Sequence, residues 1–128
     1  VICQKTNQEY VIDACLARTN YIIRKSPHKA HHAHILAANI DCAYLIVTLS
    51  HPDTSLGFID RFLVTCESFR IPAVLIFNKC DLWNNTISDL AHTYTQIYSK
   101  IGYKCYIVSD PEQLGLEPLS EQMSQRHL

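Results

Sequence analysis

The sequence predicts an α/β fold built on three parallel strands with flanking helices, entered through a β-rich leading segment. Three observations predict it. The run Cys42-Ala43-Tyr44-Leu45-Ile46-Val47-Thr48-Leu49 is continuously apolar rather than alternating, as in a strand covered on both faces. A second run, Ile71 to Phe77, ends abruptly in the polar Asn78-Lys79-Cys80-Asp81. Stretches of helical periodicity separate these runs from each other and from a third at Tyr103 to Val108. Strand–helix alternation implies right-handed crossovers and a parallel sheet.

Residues 1 to about 26 alternate in places, as in Tyr10-Val11-Ile12-Asp13, and are rich in β-formers, which predicts two strands. Two strands alone are marginal in water, so they belong to a larger β-domain or lean on the rest of the chain. Lys25 to His34 is basic, His-rich and without apolar periodicity, and reads as an exposed linker. Its histidines at 28, 31, 32 and 34 have no Cys or carboxylate partner nearby, so no dedicated metal is expected there. Facing a phosphate backbone is an alternative role for these basic side chains.

The run 42–49 reads as a central parallel strand. Ser50-His51-Pro52-Asp53-Thr54-Ser55 supplies turn and capping chemistry, and Ile59, Phe62, Leu63, Cys66 and Phe69 then recur at helical spacing over about 56–70. Pro72 marks entry to the second strand, 72–77. Thr86 can cap a helix over about 87–101 whose apolar face is Ile87, Leu90, Tyr94, Ile97, Tyr98 and Ile101, with Gly102 as its stop. The third strand, 103–108, carries Ser109-Asp110 at its carboxyl end, and a weaker helical pattern covers about 117–125.

At 128 residues the chain fits one small domain, or one unit plus a piece of another. Its formal net charge of -1 gives no global basic field, so any RNA contact must be local. The apolar runs are too short to span a bilayer and the first residues show no signal-peptide pattern, which predicts a cytoplasmic protein without membrane contact. Six cysteines are scattered without paired C-x-x-C spacing, and most read as reduced core residues. The Asn84-Asn85-Thr86 sequon has no force without a secretory signal. A chain opening on Val1 reads as a piece cut at both ends.

Open parallel sheets place ligands beyond the carboxyl ends of their strands, where Asn78, Lys79 and Asp81 fall. One carboxylate can accept two parallel hydrogen bonds from N1–H and the 2-amino group of guanine. Adenine would present an acceptor there, and a site built on such a bond rejects the analogue by a factor of roughly 10^4 or more. Asp81 is thus the candidate guanine reader. Lys79 would lay its methylene stem along the base, and Asn78 would tie the loop to neighbouring backbone. The competing reading is a plain polar loop after a strand.

With those residues placed, the chain resembles the circularly permuted GTPases of small-ribosomal-subunit assembly, the ribosome small subunit-dependent GTPase A (RsgA) family. The resemblance runs from Arg24-Lys25-Ser26 through Ala37-Ala38-Asn39-Ile40-Asp41, Ile59 to Val64, Asn78-Lys79-Cys80-Asp81-Leu82 and Gly102-Tyr103 to Val108-Ser109. It implies a partial Ras-like P-loop GTPase domain in permuted order. Residues 1–26 would end an OB-fold RNA-binding domain, 27–41 would be the linker and entry, and 42–128 the guanine-recognition half.

By resemblance Asn78, Lys79 and Asp81 form the guanine motif, joined by Ser109 and the Asp110 backbone. The family usually has Ser-Ala where this chain has Ser109-Asp110. The implied cofactor is GTP or GDP with Mg²⁺, and the implied partners are the small ribosomal subunit and its rRNA, for a monomer released on GTP hydrolysis. No G-x-x-x-x-G-K-[ST] occurs in the 128 residues, so no catalytic or metal residue is assigned and the chain alone is expected to be inactive. A zinc-binding domain is expected only in the missing continuation. The alternative, from a different class, is a non-catalytic α/β module that binds RNA or protein without turnover.

Overall fold

The computed structural model describes residues 1–6, 9–26 and 29–124, the side chains of 24–34 excepted. The chain divides into two compact units, Val1–Asn39 and Ile40–Leu128.

The first unit holds four strands in two antiparallel pairs: β1 (Ile2–Thr6) with β2 (Glu9–Ala14), and β3 (Tyr21–Ser26) with β4 (Lys29–Ala38). Among the described residues these strands form no closed barrel. Part of the segment expected over 27–41 as linker and entry forms regular structure. Lys29–Ala38 is a ten-residue strand, because a backbone ladder with Tyr21–Ser26 needs no apolar alternation and strand preference follows its neighbours. His28 lies outside the described residues, as do the side chains of His31, His32 and His34.

Asn39, in the sequence Ala37-Ala38-Asn39-Ile40-Asp41, closes this unit. Its φ of 54° is the left-handed conformation that asparagine tolerates better than other side-chain-bearing residues. Asn39 Oδ1 accepts from Thr19 N at 2.8 Å and Thr19 Oγ1 at 3.2 Å, Nδ2 donates to the Ala17 carbonyl at 3.1 Å, and its N–H donates to the Asn20 carbonyl at 3.0 Å. One side chain thus clasps the loop that precedes β3.

The second unit carries the expected α/β architecture. β5 (Ala43–Val47), β6 (Ala73–Phe77) and β7 (Lys104–Ile107) form a parallel sheet in the order β5-β6-β7. α1 (Leu56–Ser68) and α2 (Asn85–Lys100) connect them, and α3 (Leu116–Ser124) follows. β6, not β5, is the central strand. Ile46 on β5 is 62% exposed, because among the described residues β5 has a neighbouring strand on one side only.

Alternate residues of the strands face two cores. Leu45, Val47, Leu75 and Phe77 meet Ile59 and Leu63 of α1 and Ala91 and Tyr98 of α2, while Val74, Ile76 and Val108 meet Leu119 of α3. Burial of such side chains contributes about 1.5 to 3 kcal/mol each. Of the six cysteines, all free, only Cys66 is fully buried; Cys42, Cys80 and Cys105 are half-buried, and Cys3 and Cys15 are exposed, contrary to the core expectation.

The helix ends follow capping chemistry. Asn84, rather than Thr86, caps α2, because its Oδ1 accepts from Ile87 N at 2.9 Å while Thr86 already lies inside the first turn. α2 stops at Gly102, φ 107°, where Gly102 N donates to the Ser99 carbonyl at 3.1 Å and Tyr103 N to the Tyr98 carbonyl at 3.0 Å. α1 ends the same way through Arg70, φ 55°, with Ile71 N donating to the Cys66 carbonyl at 2.9 Å. No glycine marks that stop, which is why the sequence reading ran the helix on to 70.

Tyr98 is buried and its hydroxyl donates to Asp60 Oδ1 at 2.7 Å, joining α2 to α1; Tyr103 donates to Glu67 Oε1 at 3.1 Å. Burial first, then these carboxylates, push both phenols up from their ordinary value. An unfolded tyrosine ionises near pH 10, whereas the folded pair keeps its protons to higher pH. Stability from this source is full below about pH 10 and is lost as pH rises towards the folded values. Urea unfolding followed by fluorescence of Trp83, the single tryptophan, should show stability falling above about pH 10. The Tyr98→Phe/Tyr103→Phe variant should retain only the part of that slope due to the thiols of Cys66, Cys80 and Cys105, which burial also raises.

Candidate functional site

The carboxyl ends of the three parallel strands are joined by backbone hydrogen bonds beyond the ladders themselves. Asn78 N donates to the Val47 carbonyl at 2.8 Å, Val108 N to the Phe77 carbonyl at 2.9 Å, and Cys80 N to the Val108 carbonyl at 3.2 Å. These bonds hold the chain level where β6 and β7 end.

After Asn78 the backbone turns through Lys79, whose φ of 64° and ψ of 39° are left-handed, into one 3-10 turn over Cys80–Leu82. Asn78 Oδ1 accepts from Lys79 N at 2.8 Å, so the asparagine ties the loop to its own backbone and stabilises the bend. Lys79 Nζ donates to the His51 carbonyl at 3.1 Å. The turn brings Asp81 opposite the end of β7, where Ser109 Oγ donates to Asp81 Oδ1 at 2.5 Å.

Ser109 is fully buried and held on both sides. Its N–H donates to the Leu114 carbonyl at 3.1 Å and Leu114 N donates to its carbonyl at 2.9 Å, closing the loop 110–113. Gln113, φ 54°, donates from N at 3.1 Å and from Nε2 at 2.8 Å to the Asp110 carbonyl. Gly115 is obligatory here, since at φ 68° an added Cβ would lie 2.2 Å from the Ile107 carbonyl oxygen. Asp110 itself is exposed.

Burial, with the Asp81 carboxylate next and Glu112 further down, pushes the Cys80 thiol up. A protonated thiol is a weak nucleophile. The structure therefore brings Asp81 and Ser109 into contact, places Lys79 and Asn78 on the same loop, and sets Asp110 next in chain after Ser109. Sequence reasoning missed the His51 carbonyl that holds the lysine and the Gln113 clamp on the Asp110 turn. A backbone carbonyl carries no sequence signal; Gln113 was findable only as part of the turn cluster before Gly115.

The sequence profile of the RsgA GTPase family matches residues 15–128. This chain belongs to that family. It is 50% identical over 102 residues to the small ribosomal subunit biogenesis GTPase RsgA of Cytophaga hutchinsonii, covering 80% of this chain and 33% of that protein. It is 47% identical over 106 residues to the RsgA of Flavobacterium johnsoniae, covering 83% of this chain and 33% of that one. Among solved structures, YjeQ from Thermotoga maritima matches with a TM-score of 0.70 at 32% identity, over 88% of this chain and 37% of that one. YloQ, a circularly permuted GTPase, matches with a TM-score of 0.66 at 26% identity, over 98% and 40%. The chain spans about a third of the length of the curated relatives it matches.

Among the described residues no group of three or more His, Cys, Asp and Glu side chains is placed to hold a metal ion. Nor is any helix among them long and apolar enough to cross a membrane.

Replacing Ser109 with alanine removes the hydroxyl that donates to Asp81 Oδ1 while leaving the backbone bridge to Leu114 in place. A hydrogen bond to a charged acceptor contributes about 1.5 to 3 kcal/mol. Ser109→Ala should lower stability by about that amount in urea unfolding, with the unfolding slope unchanged.

Proposed function

We propose that this chain is the guanine-recognition part of a GTPase that acts in late maturation of the small ribosomal subunit, binding its rRNA and leaving on GTP hydrolysis. The observation that carries the reading is the Ser109–Asp81 hydrogen bond at the carboxyl ends of two adjacent parallel strands. A hydroxyl fixed on Oδ1 sets the plane of the carboxylate. It leaves the remaining acceptor positions free for the paired N1–H and N2–H donors of guanine, without the cost of ordering a mobile side chain.

The roles follow from the same geometry. Asp81 accepts from the base edge. Lys79, its ammonium tethered at the His51 carbonyl, lays its stem along the base face, and Asn78 holds the turn that presents both. Ser109 orients Asp81, and the Asp110 N–H donates to guanine O6. The cofactor is GTP or GDP with Mg²⁺; the phosphates and the metal are held by parts of the longer protein rather than by residues named here. Residues 1–26 are the end of an OB-fold that meets rRNA, and the zinc domain lies in the continuation. The protein works as a cytoplasmic monomer. Because phosphoryl transfer depends on positioning of phosphates and water, the 128 residues alone do not turn over GTP.

The base edge gives the test. In the full-length protein Asp81→Asn offers an amide that accepts one of the two guanine hydrogen bonds, at a cost of roughly 2 to 4 kcal/mol. Affinity for GTP should fall while xanthine nucleotide, with a carbonyl in place of the amino group, should gain. Equal affinities for GTP and xanthosine triphosphate in both proteins would remove Asp81 from the base. Titration of the 128-residue chain with GDP and Mg²⁺ should show binding no tighter than about millimolar, near -4 kcal/mol, and low-micromolar affinity would contradict the half-site reading.

A further inference from the structure

The two helices on one face of the second unit leave an opening between them. α1 and α2 both cross from one parallel strand to the next and share the core made by Leu45, Val47, Leu75 and Phe77. Near the amino ends of the strands, away from Asp81 and Ser109, a groove of about 350 Å³ lies between the helices. Its walls include Leu63 and Val64 of α1, Tyr98 of α2 and Ile101 just beyond it; Val64 and Ile101 are each 65% exposed. The sequence pattern assigned Ile101 to the buried face of its helix. The structure buries Tyr98, which shares that face, but leaves Ile101 at the surface.

The rim of this apolar groove is negative. Asp60 and Glu67 line it seven residues apart on α1, about 10 Å along a helix axis. Each already accepts one tyrosine hydroxyl, from Tyr98 at 2.7 Å and from Tyr103 at 3.1 Å, which restrains its position and leaves it further acceptor capacity. Among the described residues neither carboxylate is paired with a cation.

Those two features select the occupant. A nucleic acid or an anionic membrane would meet like charge at Asp60 and Glu67. A second copy docking groove to groove would set four carboxylates against one another, because a two-fold contact repeats each patch. A chain segment with a bulky apolar side chain between two cations, about 10 Å apart, satisfies both floor and rim. We propose that the α1–α2 groove docks a basic segment of a partner protein, which inserts an apolar side chain between Val64 and Ile101 and sets Arg or Lys against Asp60 and Glu67. This goes beyond nucleotide recognition and does not depend on it.

The probe is a capped helical peptide of about fourteen residues, made of alanine with leucines at the sixth and seventh positions and arginines at the third and tenth. Titrated into the ¹⁵N-labelled chain, it should produce saturable shifts at the amides of Val64, Tyr98, Ile101 and Tyr103. Asp60→Asn with Glu67→Gln keeps an oxygen acceptor for each tyrosine and removes both charges; affinity should fall roughly 5- to 10-fold. Val64→Ser, at an exposed position, should weaken binding without unfolding the chain, and Asp81→Asn should leave it unchanged. If the double variant does not fold, raising NaCl from about 50 to about 500 mM must weaken binding to the unaltered chain. Absence of saturable shifts at those amides, equal affinity for the peptide with glutamates in place of its arginines, or salt-independent binding would each overturn the proposal. So would concentration-dependent shifts of the same amides without peptide, which would make a second copy the occupant.

Discussion

The second unit depends on the level alignment of β6 with its two neighbours. Parallel pairing leaves the strand ends without partners unless the next residues supply them. Here Asn78 N reaches the Val47 carbonyl and Val108 N reaches the Phe77 carbonyl, so the ladder continues one step past each strand. Because each side chain alternates faces along a strand, a shift of one residue in either pairing would turn Phe77 and Ile107 out of the first core. The apolar packing therefore fixes the register, and the register sets Asp81 across from Ser109. A contact 28 residues apart in sequence is decided by core side chains that do not touch it.

Conformational strain gathers at the same end of the sheet. Of the non-glycine residues with left-handed φ, His51, Lys79 and Gln113 lie in the loops after β5, β6 and β7, one in each. Such conformations cost of order 1 kcal/mol or more and persist only where surrounding bonds hold them. The bonds are present: Thr48 Oγ1 donates to the Pro52 carbonyl at 2.6 Å and Thr54 N to the Thr48 carbonyl at 2.8 Å, closing the first loop. Lys79 Nζ then links that loop to the second, and Ser109 links the second to the third. The three loops are one connected polar layer over an apolar sheet.

Much of this was legible in the chain. Continuous apolar runs located β5 and β6, although only β6 is buried along most of its length while Ile46 of β5 is exposed, and the abrupt change at Asn78 located the end of β6. The helices were legible through Ile59, Leu63 and Cys66, which are buried as their spacing requires. Three features were not. β4 is held by backbone pairing in a segment of His, Lys and Ala, so it has no periodicity to detect. α1 stops at an arginine in the left-handed region, where glycine would have given the signal. The exposure of Ile97 and Ile101 on α2 was hidden because a helical apolar stripe wider than the sheet it covers looks the same in sequence as one fully buried.

Asp110 shows how the geometry constrains the residue that follows Ser109. Its carbonyl receives two donors from Gln113, and its neighbour Ser109 is locked by paired backbone bonds to Leu114. The backbone through this residue is thus set by partners that do not involve its side chain, and aspartate can replace a smaller residue without reshaping the loop. What changes is charge. Asp81 lies in the loop after β6, Asp110 and Glu112 lie in the loop after β7, and only Lys79 among the motif side chains is cationic. An exposed carboxylate is screened by water and salt, so its effect on a carbonyl acceptor such as guanine O6 is weaker than that of the oriented carboxylate at Asp81. In the proposed reading, base selection by Asp81 therefore survives the substitution, while the acidic rim slows approach of an anionic nucleotide most at low ionic strength.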